Sequence, residues 1–74
     1  MDTAMMVVDA VTFANVSIGR QLRRRREEAK LSQAEVARKA KIRPEMLCRI
    51  ESGNGNPTVS TVTKIVKAIK TLSK

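Results

Sequence analysis

The chain has 74 residues, enough for one domain and a thin core, because in so short a chain much of the surface stays exposed. Fifteen Lys and Arg against seven Asp and Glu give a net charge of +8, a positive field that attracts polyanions, with nucleic acid and an anionic membrane surface as the natural partners. With no His, no Trp, no Tyr and a single Cys, neither the usual nucleophile and base pairs nor a tetrahedral zinc cluster can be assembled.

Other absences narrow the class further. Cys48 has no second cysteine for a disulfide, and the N-terminus opens on the acidic Asp2 with a short apolar run, unlike a secretory signal, so a reducing cytoplasm is the expected location. The longest apolar stretch, Ala4–Val8, falls far below the ~20 residues of a membrane-spanning helix. Gly53 and Gly55 lack phosphate-loop spacing, and no cofactor and no enzymatic activity are expected. Recognition of single strands relies on stacking aromatics, of which Phe13 is the sole example, so duplex DNA is the better partner.

In chain order, residues 1–17 are apolar and weakly charged, and a basic segment follows, so the chain divides into an N-terminal extension (1–17) and a core domain (18–74). Val7, Val11, Ala14, Ile18 and Leu22 recur at steps of four and three, which predicts a first helix over about Ala10–Ala29. Gly19 inside it costs ~1 kcal/mol relative to Ala and suggests a break near Ser17. Met5–Val8 admits a second reading, a short strand pairing with a symmetry mate.

Ser32 followed by Glu35 is a capping box, which predicts a second helix from Gln33, about eight residues long, with a narrow buried face of Val36, Ala37 and Ala40. Pro44 suits the first position of a third helix, predicted over about Pro44–Glu51, with Leu47 and Ile50 toward the core. The Ser52-Gly53-Asn54-Gly55-Asn56-Pro57 run closes it. Thr58 caps a fourth helix whose stripe is Val59, Val62, Ile65, Val66 and Ile69, with Lys64, Lys67 and Lys70 toward solvent and a frayed tail from Thr71. The fold class expected is all-α, a compact four-helix domain with an N-terminal extension.

Two short helices joined by a three-residue turn have the dimensions of a DNA-binding helix-turn-helix unit. The stretch LSQAEVARKAKIRPEMLCRIESGNGNPTVSTVTKIVKAI resembles the phage Cro and repressor family of helix-turn-helix domains, with the likeness covering about Ile18–Ile69. Its most specific elements are Ser32-Gln33 opening the second helix, Ala37 at the helix crossing, Ile50-Glu51-x-Gly53 closing the third helix, and Asn56-Pro57-Thr58 before the fourth. The resemblance implies a lambda-repressor-like fold and a DNA-binding regulator whose third helix enters the major groove.

Three departures from the family pattern stand out. Lys41 occupies the turn position usually held by Gly, which requires a non-glycine residue in a left-handed conformation at ~1 kcal/mol or slightly more. Arg43 replaces the usual capping residue of the recognition helix, leaving its end N–H groups for phosphate. The family often adds a fifth helix, for which the N-terminal extension is the expected substitute.

The resemblance also implies residue roles. Arg26 is expected to pair with Glu51 as a structural salt bridge that fixes helices one and three. Gln33, at the start of helix two, is expected to meet the DNA backbone; the alternative is a solvent-exposed first-turn residue. Pro44, Glu45, Cys48 and Arg49 lie on the N-terminal and solvent side of helix three, opposite Leu47 and Ile50, and are the side chains able to meet base edges. Arg43 and Asn54 complete the DNA-binding set. The Arg23–Arg26 tract has two readings, a DNA contact or a solvated helix face. Cys48 reads as a small surface or semi-buried residue in preference to a redox switch. A two-fold symmetric operator and a homodimer covering Val7, Val11, Val66 and Ile69 are expected, the regulator being a repressor; the alternative is an antitoxin that binds its own operator and a toxin partner.

Overall fold

The first helix is longer than its periodicity suggests. The structure, a computed structural model describing residues 3–73 and the side chains from Ala14 to Ser73, begins with α1 over Thr3–Glu28. Gly19 does not break it, and Met5–Val8 lie in the helix and not in a strand. The reason is Gly19's surroundings. It is buried, and a Cβ there would run into the backbone carbonyl oxygen of Ile50, so the bare glycine lets α1 lie directly on the chain beyond it. That tertiary contact outweighs the ~1 kcal/mol of local helix propensity. Of the expected stripe, Leu22 is buried and Ile18 packs on the core, whereas Ala14 is exposed. The side chains of Val7 and Val11 lie outside the described residues.

Three further helices follow: α2 over Gln33–Ala40, α3 over Pro44–Glu51 and α4 over Val59–Leu72. The capping box at α2 is complete, with Glu35 N–H donating to Ser32 Oγ at 3.0 Å and Ser32 N–H donating to Glu35 Oε1 at 3.2 Å. Thr58 Oγ1 caps α4 by accepting from Thr61 N–H at 3.1 Å. The expected fraying from Thr71 is not seen, since α4 runs through Leu72 and Ser73 N–H donates back to Ile69 O at 2.9 Å.

α1, α2 and α3 end in the same way. In each, an N–H reaches back five residues and the one before it reaches back three, around a left-handed residue, the arrangement that satisfies orphaned helix-end carbonyls. After α1 the donors are Leu31 to Arg26 O at 3.1 Å and Lys30 to Glu27 O at 2.9 Å; after α2 they are Ile42 to Ala37 O at 2.9 Å and Lys41 to Arg38 O at 3.2 Å. After α3 they are Asn54 to Arg49 O at 3.0 Å and Gly53 to Ile50 O at 3.1 Å. The left-handed residues are Lys30 (φ 58°), Lys41 (φ 59°) and Gly53 (φ 83°). Gly53 has a second constraint, because a Cβ there would sit 2.7 Å from Cγ2 of Val16 on α1.

α1 packs mainly on α3, and α2 sits between α3 and α4. The core is Leu22, Val36, Ala37, Ala40, Leu47, Ile50, Ile65, Ala68 and Ile69, with Leu47, Val36 and Ile65 sealed completely. Alanines at the α2 face allow the close helix approach that a helix-turn-helix unit requires. Two expectations for α4 change. Val59 is 84% exposed because it is the first helical residue, ahead of the first full turn on the core, and Ile69 is already buried within the single chain. Among the described residues no helix is long and apolar enough to cross a membrane.

Candidate nucleic-acid interface

The turn between α2 and α3 fixes how α3 is presented. Lys41 adopts φ 59°, ψ 43°, the left-handed conformation required where the family carries glycine, and Arg43 enters α3 extended at φ −74°, ψ 141°. Arg43 makes no side-chain cap, and Pro44 follows at the first helical position, where its missing N–H costs nothing. At the N-terminal end of α3 Pro44 has no N–H and the Met46 N–H donates to Arg43 O at 3.0 Å, which leaves the Glu45 N–H and the positive end of the helix dipole next to an exposed guanidinium.

α3 buries Leu47 and Ile50 at 0% and 3% exposure and leaves Pro44, Glu45, Met46, Cys48 and Arg49 exposed, as a helix with one core face must. Beside it lies an open groove of about 680 Å³ between α3 and the loop leading into α4. Arg43, Glu45, Arg49 and Asn54 all line it, so the fold brings together four of the seven residues expected to meet DNA. Pro44 and Cys48 are exposed on α3 outside that groove. Asn54 Nδ2 donates to Ser52 Oγ at 3.3 Å, and Ser52 Oγ donates to Arg49 O at 3.0 Å, which steadies the loop against the end of α3.

Gln33 stands apart from this groove. Its Nε2 donates to Glu51 Oε1 at 3.1 Å, so the side chain is tethered and half-buried and not a free solvent-exposed residue. Glu51 is the hub of that region. Arg26 Nε donates to Glu51 Oε2 at 2.8 Å and Nη2 to Oε1 at 2.9 Å, while Nη1 donates to Leu31 O at 2.8 Å. The implied Arg26–Glu51 pair is thus bidentate, and it also holds the α1–α2 connection. The Arg26 pKa is raised, above all by the hydrogen bonds to Glu51, against the opposing effect of burial. The hub places the start of α2 and the end of α3 in fixed relation.

The remaining arginines of the tract are solvated. Arg23 pairs with Glu27 at 3.3 Å and Arg24 with Glu28 at 3.0 Å along the exposed face of α1, spacings of four residues that contribute only tenths of a kcal/mol. Cys48 is exposed, and no group of three or more candidate metal ligands occurs among the described residues. Sequence reasoning missed Met46, Asn56 and Thr61, which also line the groove. Met46 and Thr61 look like stripe residues of helices by period alone, and only the position of the loop shows that they face outward.

Four helices, a turn with a left-handed residue between α2 and α3, and an exposed face of α3 that carries Arg49 beside a polar loop agree with comparison with known proteins. A family model described as "Helix-turn-helix" matches residues 22–73, more than half of the chain. Neither a search of curated proteins nor one of solved structures returns a match. The chain belongs to the Cro and repressor type of helix-turn-helix family, a family of DNA-binding transcription regulators with a lambda-repressor-like fold.

Proposed function

We propose that the protein is a sequence-specific repressor in the cytoplasm that binds a two-fold symmetric duplex operator as a homodimer, with α3 in the major groove. The observation that carries this reading is the division of α3 between sealed Leu47 and Ile50 and an outward face of Pro44, Glu45, Cys48 and Arg49. Arg49 can donate twice to guanine O6 and N7, Glu45 can accept from cytosine N4, and Pro44 and Cys48 can offer small contacts such as to a thymine methyl. We assign phosphate contacts to Arg43, Asn54 and Gln33, a reading supported by Arg43 and Gln33 standing at helix N-termini and Asn54 lying on the loop beside α3. Burial of Ile69 removes one of the residues on which dimerisation was expected to rest. Support for a dimer comes instead from Val59, a large apolar side chain 84% exposed in one chain and away from α3 in sequence.

The test is binding to duplexes at increasing salt, combined with light scattering. Neutralised phosphates release counterions, so affinity is expected to fall steeply, with a slope of about −0.9 per phosphate contact. A salt-independent affinity, or a monomer bound to sites without two-fold symmetry, overturns the reading. A second reading, an antitoxin that holds a toxin, is favoured by α1, which starts at Thr3 well before the family match at Leu22. Co-purification with the product of an adjacent gene, lost when residues 1–17 are deleted, supports it.

A further inference from the structure

A second basic surface is formed by α2, the first residue after it, and α4. Lys39 and Lys41 at the end of α2 and Lys64 and Lys67 on α4 line an open groove of about 280 Å³, which includes no residue of α3 or of the loop after it. All four lysines are exposed, and none is in an ion pair among the described residues. No carboxylate lines the groove. With the reading of α3 as the DNA-reading helix as its basis, we propose that this groove grips the phosphate backbone of a second duplex, so that one protein bound to its site holds two DNA segments together.

The composition of the groove selects its occupant. Its base is Ala40 and Ala68, only 6% and 3% exposed, and its other apolar surface is lysine stem and Thr71, so it holds no large apolar or aromatic side chain of the kind that anchors a peptide. Protein interfaces concentrate Arg and aromatic residues at their centres and deplete Lys, the opposite of this set. Four lysines are compact, strongly hydrated point charges on flexible stems, which suit a polyanion bound by charge density and not by shape. Duplex DNA supplies that density, one charge per ~1.7 Å of axis, and releases counterions when it binds. The carbonyl end of the α2 dipole faces the same region and opposes an anion, but the Lys41 and Ile42 N–H groups already bond the Arg38 and Ala37 carbonyls there. The groove shares no lining residue with the one beside α3, so in this proposal a duplex seated on α3 leaves Lys39, Lys64 and Lys67 for another.

The experiment immobilises a duplex on beads, saturates it with the full chain, and measures capture of a second, fluorescent duplex. The probe variant is Lys64→Gln/Lys67→Gln, which keeps good helix formers at exposed positions and is checked for an unchanged thermal melt. Wild type is expected to capture the second duplex. In the variant, capture is expected to fall on the order of tenfold and its salt slope by about 1.8, two contacts at 0.9 each. Binding of protein to the bead duplex is expected to keep its affinity and slope. Capture unchanged in the variant overturns the proposal, because the second duplex is then held by α3 of another subunit. A lower slope for the bead duplex itself overturns it too, since the groove then contacts the same duplex. Polyglutamate retained by wild type but not by the variant, without capture of DNA, assigns the groove to an acidic protein segment instead. Failure of wild type to bind the bead duplex at all overturns the α3 reading, and is seen separately because it is measured in the first step.

Discussion

Arg26 holds Glu51 through both carboxylate oxygens, at 2.8 and 2.9 Å, and so ties the end of the recognition helix to α1 across 25 residues of sequence. The side chains are 12% and 3% exposed, so neither charge is well solvated once its partner is gone. Glu51→Met is expected to cost about 3 kcal/mol or more, because a half-buried guanidinium and Gln33 Nε2 both lose their partner. The double variant Arg26→Met/Glu51→Met is expected to cost clearly less than the sum of the single changes. Urea denaturation of wild type, Arg26→Met, Glu51→Met and the double variant measures the coupling. Additive losses would mean that the pair does not act as a unit.

Gly19→Ala sets two effects against each other. Alanine gains ~1 kcal/mol of helix propensity, but its Cβ collides with the Ile50 carbonyl oxygen, a backbone atom that cannot turn away. Overpacking costs of about 1 to 3 kcal/mol are expected to win, so the variant is less stable than wild type. A rise in melting temperature would show that α1 and α3 do not meet at this seam.

Lys41→Gly works in the opposite direction. The lysine sits at φ 59°, ψ 43°, a conformation that costs a side-chain-bearing residue ~1 to 2 kcal/mol, and glycine removes that cost while adding freedom to the unfolded chain. A net gain of about 0.5 to 1 kcal/mol is expected in the denaturation midpoint. A loss would mean that the lysine stem contributes packing at the turn.

Much of the fold was legible because local signals were strong and agreed with one another. Ser32 with Glu35, Pro44, and Thr58 are start signals whose chemistry depends on a few neighbouring residues, and α2, α3 and α4 begin where those residues place them. Lys41 was readable as a strained turn residue through the family resemblance, which puts glycine at that position. α1 was harder. Gly19 is a helix breaker in isolation, and its value as a contact point with Ile50 is a property of the packed pair, invisible to any window along the chain. Val59 and Ile69 share one apolar stripe in sequence but opposite fates in the fold, since a helical period gives direction and not how far along the helix the core reaches. At the interface, the exposure of Glu45, Cys48 and Arg49 followed from the period of α3, while the tether of Gln33 to Glu51 depended on the crossing of α2 and α3.

Arg43 at the entrance of α3 and Arg49 within it are expected to behave differently. Arg43 stands at the uncapped helix entrance, where a phosphate is the natural partner, so Arg43→Ala should weaken binding to all sequences alike and reduce the salt slope by about 0.9. Titrations against an operator and a scrambled duplex check this; a loss confined to the operator would make Arg43 a base reader.

The most direct measurement of the central claim, that the exposed face of α3 reads base edges, is selection of binding sites from random duplexes by wild type and by Arg49→Ala. Arg49 is exposed on α3 beside the groove, and a bidentate contact to guanine discriminates by ~1 to 3 kcal/mol. The expected result is a two-fold symmetric motif for wild type and, for the variant, the same motif with preference lost at one base pair in each half-site. Recovery of an identical motif from both proteins would contradict the claim.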